Sequence, residues 1–276
     1  MNQHKWAFQM KRIHDFAAGK IRAASQAGTG LLLIDNPDRK NAVTAAMWRA
    51  IPEAMHWLCD EGEARVIVLM GAGTTDFSAG ADISEFPTVR KDTATARLYE
   101  SENSKAFSAI RNARVPVIAA IRGICYGGGF GLAAAADLRI AAEGAAFAVP
   151  AARLGLAYPA DAVQDFIRTL GAQMAGKALY TGLPMSVNDL LAAGFLLEMT
   201  TAEGLEATAL TLAETIAANA PLSVQASKLA LRAASQQDDD LLREAEVIGA
   251  ATFDSADYAE GRNAFAEKRR PQFTGR

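Results

Sequence analysis

Short apolar runs recur through the first half of the chain, and glycines or polar residues close each one. "KIRAAS" and "TGLLLID" (residues 20–25 and 29–35) read as two strands around the turn "QAG". "RVIVLMG" (65–71) and "VPVIAAIRG" (115–123) are unbroken apolar runs without alternation, the pattern of strands buried on both faces. "DLRIAA" (137–142) and "AAFAV" (145–149) read as shorter strands. Between them, helical spacing predicts a helix capped by Thr44 and running to about Glu61, which Pro52 should kink or interrupt. A polar helix is predicted over about 94–112, and a helix of small residues after the glycines at 127–129. Two stretches, "NPDRKNAV" (36–43) and "AGTTDFSAGADISEFP" (72–87), carry the glycine, proline and polar content of loops.

After residue 160 the pattern turns helical, apart from "FLLEM" (195–199), and from 202 onward only amphipathic helices are expected. Alternation of strand and helix followed by helices alone predicts an α/β core with a helical appendage. The expected division is an N-terminal extension (1–20), the core (21–201) and a C-terminal helical segment (202–276).

Composition narrows the partners. The chain has 276 residues, half of them hydrophobic, and a formal net charge of −3, which argues against a nucleic-acid surface. Cys59 and Cys125 lie far apart, outside any CxxC pair, and read as two buried thiols. No signal-peptide pattern or apolar run of membrane-spanning length is seen, so the expected location is the cytoplasm, with no membrane partner.

Familiar catalytic arrangements fit poorly. Ser78 in "DFSAG" lacks the glycine two positions before it that a nucleophile elbow needs. The three histidines, His4, His14 and His56, all fall in the first fifth of the chain, which disfavours a Ser-His-Asp triad or a histidine metal site. "GICYGGGFG" has the order strand, glycines, helix, but not the GxGxxG spacing of a dinucleotide turn, so a nicotinamide oxidoreductase is disfavoured. A third reading joins two loops. "SAGAD" (78–82) and "YGGG" (126–129) each follow a buried strand and carry backbone N–H groups beside small side chains. Two such donors aimed at one point form an oxyanion hole, to which the following helix adds its N-terminal positive end. Tight packing of strand on helix would use the same small residues.

"NPDRKNAV", "FSAGADISEF", "GICYGGGFGLAAAADLRIAAEGAAFAVPAARLGL" and "AFAEKRRPQF" occur in the order and spacing of the enoyl-CoA hydratase/isomerase (crotonase) superfamily, which the chain resembles from about residue 20 to its end. The resemblance implies a spiral of ββα turns with C-terminal helices that build a trimer or a pair of trimers. It implies an acyl-CoA substrate, with no cofactor beyond the coenzyme A the substrate carries, and a thioester enolate held by the N–H groups of Ala81 and Gly128. It places Lys40, Ala42 and Ala79 at the CoA cleft and Lys268 at the CoA phosphates. Arg39 and Arg269 add cations suited to a polyanion.

The sequence departs from the pattern where hydratases carry two glutamates, for Gly131 and Ala151 stand there. Neither can orient water or deliver a proton, so the reaction need not be hydration. A non-catalytic acyl-CoA-binding or assembly protein is the alternative. Putting carboxylates back at both positions is expected to raise hydration, provided they fit. Tyr158 and Asp161, just past the second position, are the candidate substitutes for acid–base work, against packing for the tyrosine and helix capping for the aspartate. Asp82 is expected to pin its loop, and Tyr99, Glu100 and Glu102 to form a solvated helix face.

Overall fold

The computed structural model describes residues 11–276. Ten strands and ten α-helices alternate along them. β1 (Arg12–Phe16), β2 (Ile21–Gln26) and β3 (Thr29–Ile34) form an antiparallel meander. β4 (Val66–Gly71), β5 (Val117–Ile121), β7 (Leu138–Ala142) and β10 (Glu198–Thr200) continue it in parallel, completing a seven-stranded sheet in the order β1-β2-β3-β4-β5-β7-β10. A second, shorter strip runs beside it. Single bridges join Val43 to Ala81 and Ser78 to Cys125, and β6 (Ile124–Tyr126), β8 (Ala146–Ala148) and β9 (Met185–Ser186) extend the strip. Successive turns of chain thus give one long strand to the sheet, a short one to the strip, and then a helix: the expected spiral of ββα turns.

The unbroken apolar runs have the predicted cause. Along β4, Ile67 and Leu69 face one core, while Val66, Val68 and Met70 face another. The first core lies under α1 (Ala45–Cys59), α3 (Thr93–Arg111), α4 (Gly128–Ala135) and α5 (Ala160–Thr181). Leu205, Ala209, Ala213 and Ala217 of α7 (Leu205–Ala217) cover the second. A strand buried on both faces gains from an apolar residue at every position. α2 (Phe86–Val89) and α6 (Val187–Ala192) are short connectors. α8 (Pro221–Gln236), α9 (Asp239–Ala251) and α10 (Ala256–Ala266) form the helical segment.

Several expectations shift. Thr44 caps α1 as predicted, its side chain accepting from the N–H of Met47, a contact of about 1 kcal/mol. Pro52, however, does not interrupt the helix, which runs on to Cys59. Trp48, Ile51 and Met55 are buried on both sides of the proline and hold the turns against the sheet. The strand in "FLLEM" starts at Glu198, because Phe195 and Leu196 are taken into the core. β1 forms within a stretch whose scattered charge gives no strand signal, since four of its five residues are exposed. Both cysteines are free and buried. Among the described residues, no helix is long and apolar enough to cross a membrane.

Candidate active site

The two loops singled out by their glycines meet in the second strip. Ser78 donates its N–H to the carbonyl of Ile124 and accepts from the N–H of Tyr126, both at 2.9 Å. Two residues on, the carbonyl of Gly80 accepts from Val43 at 2.7 Å, and the N–H of Asp82 donates back to Val43 at 3.0 Å. This pairing skips the N–H of Ala81. The N–H of Gly128 opens α4, where no preceding turn supplies an acceptor. Among the described residues, neither N–H donates a hydrogen bond.

The two donors are neighbours. A β-carbon on Gly128 would lie 3.7 Å from the nitrogen of Ala81, and one on Gly80 would stand 2.7 Å from the nitrogen of Gly128. Gly80 also has φ +86°, so both its space and its backbone exclude a side chain. At Gly128, a β-carbon would strike the six-membered ring of Trp48 at 2.8 Å. The glycines let the two turns approach closely, which brings the backbone nitrogens of Ala81 and Gly128 near each other. The absence of polar side chains there is a requirement of the packing.

The "NPDRKNAV" turn is fastened to the same place. Asn41 is buried with a left-handed backbone, accepts from the N–H of Asn36, and donates to the carbonyls of Ala72 and Asp76. Ser78 spends its hydroxyl on the carbonyl of Asn41 at 2.7 Å, a structural task that leaves no nucleophile. The carbonyl of Lys40 accepts from Ala79 at 2.9 Å, so Lys40, Ala42 and Ala79 come together as expected, with Ala42 buried and Lys40 exposed. Asp82 pins its loop: it accepts from the N–H and hydroxyl of Ser84 and pairs with Arg39 at 2.8 Å. Burial raises its pKa, but the Ser84 donors and the Arg39 charge outweigh this and hold it below the usual carboxylate range.

Lys268 stands apart. It is exposed beyond the end of α10, and no hydrogen bond or ion pair among the described residues ties it to the Lys40 segment. Arg269 beside it is engaged by Glu260 and Glu267, as Arg39 is by Asp82. Of the four expected cations, Lys40 and Lys268 are therefore the two without a carboxylate partner among the described residues.

Gly131 lies one turn into α4. A β-carbon there would stand 2.5 Å from the hydroxyl of Tyr158 and 2.7 Å from the ring of Phe107. The space that a first glutamate would need is occupied by these two side chains. The expectation that a carboxylate could be put back at 131 thus meets a packing obstacle, not the backbone strain that a positive φ would bring. Tyr158 donates to the carbonyl of Gly127 at 2.9 Å, and burial pushes its pKa well above the usual phenol value. Asp161 points elsewhere: it accepts from the hydroxyl of Ser104 and lies 3.8 Å from Arg111, beside the buried pair of Arg111 with Asp165. It does not cap α5, whose cap position is Pro159. Ala151 is half-buried in the turn before α5.

The expected solvated face of α3 is partly wrong. Tyr99 is buried, and its hydroxyl accepts from the indole N–H of Trp48 at 3.0 Å, because the Trp48 ring needs a partner inside the core. Burial pushes the Tyr99 pKa up to about 12. Glu100 pairs with Arg90 at 2.5 Å, and Glu102 with Arg49 at 3.1 Å. The Arg90 guanidinium lies 4.7 Å from the centre of the Phe86 ring and 4.8 Å from that of Tyr99. Among the described residues, no histidine joins the site. His14 stacks near Phe16 and Trp57, His56 pairs with Asp60, and His4 lies outside the described residues.

The family model described as enoyl-CoA hydratase/isomerase matches residues 24–276. The chain belongs to the enoyl-CoA hydratase/isomerase family. Its fold is accordingly the crotonase fold. A short-chain-enoyl-CoA hydratase of Clostridium acetobutylicum is 31% identical over 242 residues, covering 87% of this chain and 92% of that one. A methylmalonyl-CoA decarboxylase of Escherichia coli is 32% identical over 217 residues, covering 77% and 82%. The crystal structure of an enoyl-CoA hydratase/isomerase family protein from Hyphomonas neptunium superimposes with a TM-score of 0.88 at 34% identity, covering 93% and 98%. Sequence reasoning missed Trp48 and Phe107. Their apolar character alone does not mark them, and only the packing of α1 and α3 brings them to Gly128 and Gly131.

Proposed function

We propose that this family member binds an acyl-CoA thioester and polarises its carbonyl with the N–H groups of Ala81 and Gly128. The observation that carries the reading is that these two adjacent N–H groups have no acceptor among the described residues. Both residues are half-buried, so their unpaired N–H groups are open to an acceptor from outside the chain. A thioester oxygen that becomes an enolate oxyanion is such an acceptor, and each fixed donor contributes about 3–4 kcal/mol to that state.

Lys40 and Lys268 supply cations for the CoA phosphates, Lys40 from the edge of the cleft and Lys268 from the C-terminal segment. Ala42 and Ala79 shape the cleft without filling it. The reading needs no cofactor besides the CoA of the substrate. Of the two acid–base candidates, Tyr158 reaches the turn between Gly127 and Gly131, and it does so as a neutral phenol. It serves as a hydrogen-bond donor at neutral pH, while a base must come from elsewhere. Asp161, held by Ser104, is the remaining carboxylate candidate. Without glutamates at 131 and 151, ordinary water addition lacks two positioned groups, each worth about 10²- to 10⁴-fold. The similarity to a methylmalonyl-CoA decarboxylase supports a reaction of the same enolate that does not require adding water.

Calorimetry with CoA and butyryl-CoA, beside an assay of crotonyl-CoA hydration, tests this. The expected result is saturable binding of both ligands with hydration far slower than an ordinary hydratase. Absence of CoA binding by the folded protein removes the proposal. Fast hydration would show that the acid–base groups lie elsewhere.

A further inference from the structure

A pocket of about 810 Å³ lies at the C-terminal end of α4, walled by residues of β7, α5 and α8. Its apolar lining includes Pro116, Ala135, Ile216, Val224 and Phe273. Small-molecule sites are of this kind: about 300–1,000 Å³, mostly apolar, with a few placed polar groups. Its described lining residues include none of Lys40, Ala42, Ala79, Ala81, Gly128 and Lys268. Gly128 opens the helix whose other end, about 10 Å away at the usual rise, forms part of this wall.

The polar lining is cationic. Arg111, Arg139, Arg168, Lys228 and Arg232 line the pocket, against one lining carboxylate, Asp137. Lys228 pairs with Asp137 at 2.8 Å, and Asp165, outside the lining, takes both Arg111 at 2.6 Å and Arg168 at 2.8 Å. Asp161 lies 3.8 Å from Arg111. Five cations thus meet three carboxylates. Arg139 is 8% exposed and donates to the carbonyls of Phe195, Ala136 and Asp137. These carbonyls satisfy its N–H groups without neutralising its charge, of which the negative end of α4 offsets only about half. Burial pulls its pKa down to about 10, so it stays charged at neutral pH. Arg232 donates from one terminal nitrogen to Asn112 at 3.1 Å, while its Nε is buried with no acceptor among the described residues. Buried cations are normally paired, and a buried donor without an acceptor is costly.

We propose that this pocket is a second ligand site, separate from the thioester site, and that it takes an apolar carboxylate of the fatty-acid type. The carboxylate accepts from Arg232 and offsets the excess positive charge, and the chain lies against Ile216, Val224 and Phe273. An inorganic anion would meet the charge and leave the apolar wall in water. A neutral lipid would cover the wall and leave the donor unpaired. Exposed Leu231 also lines the pocket, so a second copy of the chain is the rival occupant. A copy seated there would bury the excess charge, which costs stability unless carboxylates arrive with it.

Calorimetry of the native protein with decanoate, decanol and inorganic phosphate reads the proposal. Decanoate is expected to bind at least about tenfold tighter than decanol, the worth of one charge-assisted hydrogen bond, and tighter than phosphate. Arg232→Gln should weaken decanoate about tenfold. Ser223→Trp, at an exposed lining position, should abolish its binding by filling the pocket while leaving Arg232 in place. Both variants should keep the native affinity for CoA within about twofold, and saturating butyryl-CoA should not displace decanoate. Absence of decanoate binding, equal affinity for decanoate and decanol, or binding that survives both substitutions overturns the proposal. Displacement by butyryl-CoA also overturns it, by placing decanoate in the thioester site. A native protein that ignores decanoate and dissociates into smaller species on Ser223→Trp would assign the pocket to a second copy instead. If CoA and butyryl-CoA do not bind at all, the functional reading fails, and decanoate binding with its loss in the two variants still decides this one.

Discussion

The hydroxyl of Tyr158 lies 2.5 Å from where a β-carbon on Gly131 would sit, while donating to the carbonyl of Gly127 at 2.9 Å. A tyrosine from the loop before α5 thus occupies the place of a side chain that α4 does not have. Gly131→Ala should therefore overpack the site and destabilise the protein by about 1–3 kcal/mol. Tyr158→Phe in the same chain should recover part of that loss but not all, because the Phe107 ring remains 2.7 Å away. Urea midpoints of the two single variants and the double variant give the coupling. Additive losses would show that the two residues do not compete for this space.

Tyr99 and Tyr158 should remain protonated at a pH where an ordinary tyrosine ionises. Burial raises both pKa values, that of Tyr99 to about 12. Tyr99→Phe and Tyr158→Phe should leave the 295 nm titration of the folded protein unchanged below about pH 11. The sign of the linkage follows. The unfolded chain loses these protons near pH 10 and the folded one only later, so stability is unaffected below about pH 10 and falls as the pH rises beyond it. The urea midpoint at pH 11, compared with pH 9, should drop less in Tyr99→Phe than in the native chain.

How far the sequence could be read depends on how local each signal is. The strands of the sheet were legible because burial on two faces leaves nothing but apolar residues in "RVIVLMG" and "VPVIAAIRG". The close approach of the Ala81 and Gly128 turns was legible because their loops carry glycine where a β-carbon would not fit, and the family because four motifs match it. β1 was not legible: its side chains are mostly exposed, and it is held by backbone pairing to β2, which leaves no composition signal. Nor was the burial of Tyr99 or Asn103, which depends on where α3 packs. Pro52 shows the opposite failure, a strong local rule overridden by tertiary burial of Trp48, Ile51 and Met55.

Lys268→Ala should weaken CoA binding by about two- to tenfold, the range of a partly screened charge contact. Added salt should shrink the difference between variant and native protein. An unchanged affinity at low salt would remove Lys268 from the phosphate site.

The C-terminal helices leave large apolar side chains in solvent on a single chain. Leu231 is 73% exposed, Val247 70%, Phe253 67% and Phe265 87%. Large apolar side chains left this exposed on several helices of one segment point to a contact surface. A closed homo-oligomer, a trimer or a pair of trimers, is expected, with Phe253→Ser or Val247→Ser shifting it toward smaller species. Sedimentation equilibrium at micromolar concentration checks this, and a native monomer would contradict it.

The central claim is that two backbone N–H groups polarise a bound thioester. Isotope-edited infrared spectroscopy of butyryl-CoA labelled with ¹³C at the thioester carbonyl reads this at the reacting atom. With the protein saturated, the labelled carbonyl stretch should move to lower frequency than in water, because the fixed donors at Ala81 and Gly128 draw charge onto the oxygen more strongly than solvent does. A stretch at or above the solution frequency in the saturated complex would show that the thioester oxygen does not sit between them.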